Sequence, residues 1–98
     1  AEVVDAGPLE RFRSPGVYDE FRENGFFIVS RDGEVFAMSS ICIHKGCRIS
    51  VEADESYTCN CHRSRFDKNG QVLNGPATRD LPRLLVKRTK EDHVLVQK

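Results

Sequence analysis

Apolar and polar positions along this chain alternate in short runs closed by turn residues, and no stretch sustains the 3.6-residue apolar period of an amphipathic helix. That pattern predicts an all-β domain of antiparallel sheets. Residues 2–5 read as a first strand closed by Gly7-Pro8, while residues 17–22 alternate poorly and fit a short helix as well as a strand. Residues 26–30 and 35–39 flank Arg31-Asp32-Gly33-Glu34, and an Asp-Gly pair between two apolar runs is a strong hairpin signal. Residues 66–68 and 71–73 flank Asn69-Gly70 and predict a second hairpin of the same kind. A third is predicted from residues 84–88 and 94–97 around the turn at 89–92. The two remaining segments, 41–49 and 59–65, are poor in strand signal and hold every cysteine, so they are expected to be loops presented by the sheet.

Length and charge narrow the classes. Ninety-eight residues suit one domain spanning 1–98. With 15 basic and 15 acidic side chains the formal charge is zero, which argues against a nucleic-acid binder that works by neutralising phosphates. The longest apolar run, Phe26-Phe27-Ile28-Val29, is far short of the ~20 residues that span a bilayer. The chain as given is therefore expected to be soluble, with no secretory leader, while an anchor removed from ahead of Ala1 stays open. So small a domain buries a limited core, and four cysteines with three histidines are the obvious material for a metal or disulfide staple.

Their placement is specific. The first loop reads Cys42-Ile43-His44-Lys45-Gly46-Cys47, and the second Cys59-Asn60-Cys61-His62-Arg63-Ser64. A structural zinc site of the Cys₂His₂ type pairs like with like, as Cys-x₂₋₄-Cys and His-x₃₋₅-His. Here each loop offers a close Cys/His pair with one extra cysteine, Cys47 or Cys61, and a dinuclear cluster with two Cys on one iron and two His on the other would use one of each per loop.

Cys42-x-His44 and Cys59-x-x-His62 resemble the two boxes of the Rieske [2Fe–2S] family. The resemblance runs from about residue 35 to 87 and implies stacked antiparallel sheets with a cluster-binding part at about 41–78. It implies one [2Fe–2S] cluster, with Cys42 and Cys59 on one iron and His44 and His62 on the solvent-facing iron. It also implies a Cys47–Cys61 disulfide, as in the high-potential, cytochrome bc-type branch. Ser64 matches a serine that hydrogen-bonds a bridging sulfide, and Gly75-Pro76-Ala77 matches a loop covering the cluster from a third side. The chain departs from the pattern at Asn60, Arg63 and Phe66, where bc-type members often carry Pro, Gly and Tyr. Phe66 lacks the hydroxyl that bonds a ligand sulfur, so a potential below that of bc-type proteins is expected, and above that of oxygenase-type ferredoxins.

The expected function is one-electron transfer between redox partner proteins, with a potential that falls with pH as the two histidine ligands deprotonate. A mononuclear iron catalyst needs two further His and a carboxylate. Only His93 is left over, so the chain is not expected to be an enzyme by itself. His93, beside Asp92, reads as an ordinary half-exposed strand histidine. The alternatives are the extrinsic domain of a bc-type or arsenite-oxidase-type subunit, a ferredoxin feeding an oxygenase, and a zinc-bound structural module. Basic residues at Lys45, Arg48, Arg63, Arg65, Lys68 and Arg79 read first as a solvated face, with docking of an acidic partner as the alternative. A Cys47–Cys61 bridge favours an extracytoplasmic setting.

Overall fold

Phe26, Phe27, Ile28 and Val29 are all 0% exposed, because the strand that carries them is covered on both faces. A computed structural model describes residues 2–41, 47–59, 64–75 and 79–98. Strands β1 (Val3–Pro8), β2 (Gly16–Tyr18), β3 (Phe26–Arg31), β4 (Glu34–Ser39), β9 (Arg83–Arg88) and β10 (His93–Gln97) form a six-stranded sheet in the order β1-β10-β9-β4-β3-β2. Strands β5 (Ile49–Val51), β6 (Tyr57–Cys59), β7 (Arg65–Phe66) and β8 (Val72–Asn74) form a second sheet in sequential order. Every pairing is antiparallel. The fold is all-β, as expected. The helical content of the described residues is two 3-10 turns, Leu9–Phe12 and Arg22–Asn24, and none is long and apolar enough to cross a membrane.

Side chains alternate across a strand, so β3 supplies two cores. Phe26 and Ile28 pack with Ala6, Phe12, Ala37, Val94 and Val96. Phe27 and Val29 pack with Met38 and with Ile49, Tyr57, Cys59 and Phe66 of the smaller sheet. The second core fastens the small sheet to β3 and β4.

The β3–β4 hairpin forms as read, with Asp32 (φ 55°) and Gly33 (φ 78°) both left-handed, the geometry of a two-residue type I′ turn. The β7–β8 hairpin differs. Its strands are Arg65–Phe66 and Val72–Asn74, and its turn is longer. Gly70 N–H donates to Asp67 O, Asp67 N–H donates to Gln71 O, and of the turn residues only Gly70 (φ 84°) is left-handed. Asp67 Oδ1 explains the lengthening, since it accepts from the N–H groups of Asn69 and Gln71 and sets a local turn ahead of Asn69-Gly70. The β9–β10 turn closes similarly on Thr89, with Asp92 at φ 60°.

Three local readings are corrected. The first strand starts at Val3 and continues through Gly7-Pro8 by way of a register shift between Asp5 and Gly7. Residues 17–22 contain the end of β2 and the start of a 3-10 turn. The cysteine segments are not wholly loops. Ile49–Val51 and Tyr57–Cys59 pair as β5 and β6, a hairpin of three-residue strands too short for alternation to register in sequence.

Candidate metal centre

Each cysteine-bearing segment is pinned at its base by backbone pairing. Ile41 bridges Arg48, and Ile49 N–H donates to Ser40 O at 2.7 Å, so the first loop leaves and rejoins the fold at one place. Cys59 N–H donates to Ser64 O at 2.9 Å, which closes the second loop across residues 60–63. The two bases meet through the Ile49–Cys59 pair of β5 and β6.

A third segment joins them. Gly75, at the end of β8, lies so close to Ser64 that a Cβ on it would stand 2.4 Å from Ser64 Cα and 2.9 Å from Ser64 Oγ. Its φ of 97° is one that glycine tolerates and other residues resist. Three chain segments therefore converge on Cys59 and Ser64, which are 1% and 0% exposed. Asp80 Oδ1 accepts from Val72 N–H and holds the returning chain against β8.

Of the expected ligands, the structure describes Cys59, buried at the end of β6. Cys42, His44 and His62 lie outside the described residues, as do Cys61, Pro76 and Ala77. Cys47 is disulfide-bonded and packs against the core of the small sheet. Ser64 is buried at the base of the second loop. Phe66 is fully buried two residues on, in the same core as Cys59. A metal suits this arrangement. A closely packed set of loop bases carries a buried thiol-bearing residue and a buried hydroxyl, and the remaining soft and imidazole donors lie on the two loops it pins.

Two arginines brace the two ends of the small sheet, and sequence reading did not find them. Arg22 Nε donates to Ile49 O at 2.6 Å and its Nη2 to Ser50 Oγ, while its own carbonyl accepts from Ser40 Oγ. Arg31 ties the opposite end of the small sheet, donating to Asn69 Oδ1 and Lys68 O and pairing with Glu55. Neither set of contacts leaves a local sequence signal, since the small-sheet acceptors of both guanidinium groups lie more than 20 positions away.

The basic residues are less concentrated than their sequence positions suggest. Arg48 is paired with Glu23, and Lys68 sits in the far turn of the β7–β8 hairpin. Arg65, next to Ser64, and Arg79 are exposed, Arg65 also lying near Asp54. His93 is half-exposed, its Nδ1 3.0 Å from Asp5 Oδ2. The hydrogen bond from His93 and that from the Gly7 N–H hold the Asp5 carboxyl below its usual range.

Comparison with known proteins agrees with this geometry. The cytochrome b6-f complex iron-sulfur subunit of Chlorobaculum thiosulfatiphilum is 30% identical over 80 residues, covering 81% of this chain and 44% of that protein. That of Prochlorococcus marinus subsp. pastoris is 38% identical over 55 residues, or 53% of this chain and 31% of that one. The chain thus spans less than half the length of these relatives. Among solved structures, the plasma membrane Rieske protein PetC3 of Synechocystis superposes with a TM-score of 0.69 at 27% identity, covering 97% of this chain and 99% of that one. The soluble domain of the Rieske protein II of Sulfolobus acidocaldarius shares the fold at a TM-score of 0.68 and 16% identity, over 97% of this chain and 76% of that one. The Rieske [2Fe-2S] domain profile matches residues 7–88, well beyond the 35–87 span of the two boxes and their flanks, and the chain belongs to that family.

Proposed function

We propose that this chain is a one-electron carrier in which residues of about 41–78 hold a single [2Fe–2S] cluster. Cys42 and Cys59 are the thiolate ligands of one iron, and His44 and His62 the imidazole ligands of the other. The observation that carries this reading is the convergence of three segments on buried Cys59 and Ser64. What a bound cluster supplies is one electron, taken up and released between its diferric and mixed-valence states.

The protein's own residues set the terms. Imidazoles are neutral where thiolates are anionic, so His44 and His62 lower the negative charge at the site and favour reduction. Their outer nitrogens would exchange protons and couple the potential to pH. The Cys47 disulfide, formed with Cys61 in this reading, ties the two loops together. Ser64 brings a buried hydroxyl to the site, and Phe66 withholds one, which keeps the potential below that of proteins carrying Tyr there. Exposed Arg65 and Arg79 favour an acidic redox partner.

A second reading is favoured by the relatives, which are subunits of cytochrome complexes, the match to this chain covering 44% and 31% of their length. In it, the chain is the extrinsic cluster domain of a larger oxidoreductase subunit in an extracytoplasmic, oxidising setting. A ferredoxin of an oxygenase system would have a lower potential.

Optical and EPR spectra of the purified protein before and after dithionite test the site. A reddish protein whose reduced-state signal has the low mean g of mixed Cys/His ligation supports it, and a colourless zinc protein overturns it. Redox titration then separates the carrier readings.

A further inference from the structure

Between β1, β10 and β9 the inward residues of one register row are Val4, Val96 and Val86, all packed into the core. The neighbouring rows point the other way. One runs Asp5, Leu95, Lys87 and the next Val3, Gln97, Leu85. Val3 and Leu85 are each 55% exposed, two of the four exposed large apolar side chains among the described residues. Val3, Lys87, Leu95 and Gln97 line one shallow, mostly apolar groove. An exposed apolar patch framed by charge marks an interaction surface.

The order of groups across this face selects its partner. Acidic Asp5 stands on one flank, Leu95 in the middle and basic Lys87 on the other. A two-fold axis running along β10 through Leu95 exchanges the flanks. It sets Asp5 against Lys87 of the second copy, Val3 against Leu85, and Leu95 and Gln97 against themselves. We propose that this outer face of β1, β10 and β9 pairs with the same face of a second copy of the chain. Aligned sheets pack face to face at about 10 Å, within reach of a lysine side chain. The Asp5 carboxylate has acceptor capacity for it, since the Gly7 N–H and His93 occupy two of its roughly four lone-pair sites. An isologous contact of this kind is self-complementary, as a closed dimer requires.

None of these residues lies in either cysteine loop or its base, so the proposal stands apart from the cluster reading. Sedimentation velocity over a dilution series reads it directly, with thermal melting to confirm that each variant is folded. The wild type is expected to dimerise, more weakly at high salt. Lys87→Glu, which sets a carboxylate against Asp5 at each of the two symmetry-related contacts, weakens association at least about tenfold, and Lys87→Arg preserves it. Leu95→Glu, which places two carboxylates together on the axis, abolishes it. A wild type that stays monomeric into the submillimolar range overturns the proposal. So do folded Lys87→Glu and Leu95→Glu variants that associate as the wild type does.

Discussion

The backbone of Gly75 lies against that of Ser64, leaving no room for a side chain: a Cβ there would stand 2.9 Å from the Ser64 nitrogen and 2.4 Å from its Cα. Since Ser64 O accepts the Cys59 N–H, any push on Ser64 is passed to the base of the second cysteine loop. Gly75→Ala is therefore expected to lower the iron content per chain and to destabilise by more than the ~1 kcal/mol that a left-handed alanine costs alone. Gly33→Ala is the control. It shares the positive φ, but nothing lies within 4 Å of its Cβ, so it should lose stability without losing iron. Iron analysis and melting temperature of the two variants check this.

Arg22 holds the first loop from outside the small sheet, through Ile49 O and Ser50 Oγ. Arg22→Ala leaves the Ile49 carbonyl without its charged donor, at a cost of about 1–3 kcal/mol. Amide exchange should quicken at Ile49 and its partner Cys59. Arg22→Lys should recover only part of the loss, because a lysine lacks the guanidinium fork that reaches both oxygens. Hydrogen exchange and denaturant titration of both variants read the effect.

Much of this architecture was legible because its signals are local. Asp32-Gly33 supplies the two left-handed residues of a type I′ turn, and Phe26–Val29 announces a strand buried on both faces. The two cysteine boxes could be read for the same reason, their donors sitting two or three positions apart. What escaped is non-local or very short. The β5–β6 hairpin has three residues a side, Asp67 overrides the Asn69-Gly70 signal by capping its own turn, and Arg22 acts 27 positions from Ile49. Gly75 carried a motif reading, but that it must be glycine follows only from where Ser64 lies in space.

Phe66 is fully buried in the core that contains Cys59. In the proposed site, a tyrosine there supplies a donor to a ligand sulfur and stabilises the reduced, more negative state. Phe66→Tyr is expected to raise the potential by tens of millivolts, since about 1 kcal/mol of differential stabilisation is ~43 mV for one electron. The opposite sign, or no shift by protein-film voltammetry, would remove Phe66 as the origin of a low potential.

Tyr57 is also fully buried, and its hydroxyl has no hydrogen-bond partner among the described residues. Burial pushes its pKa up to about 12 from 10.0, with smaller effects from Arg31, Glu55 and Arg83. The fold thus favours the neutral phenol. Its contribution is complete below the unfolded pKa, and is lost between pH 10 and about 12 as the unfolded chain ionises first. Tyr57→Phe removes both the ionisation and the uncompensated hydroxyl. It is expected to stabilise the protein at neutral pH by about 1 kcal/mol or more, because deleting an unpaired buried polar group recovers its desolvation cost. It should also flatten the alkaline fall in stability. Chemical denaturation of both proteins between pH 7 and roughly pH 12 measures the two effects together. A variant less stable at pH 7, with the same alkaline slope, would mean that the hydroxyl is satisfied in solution by water held between the sheets.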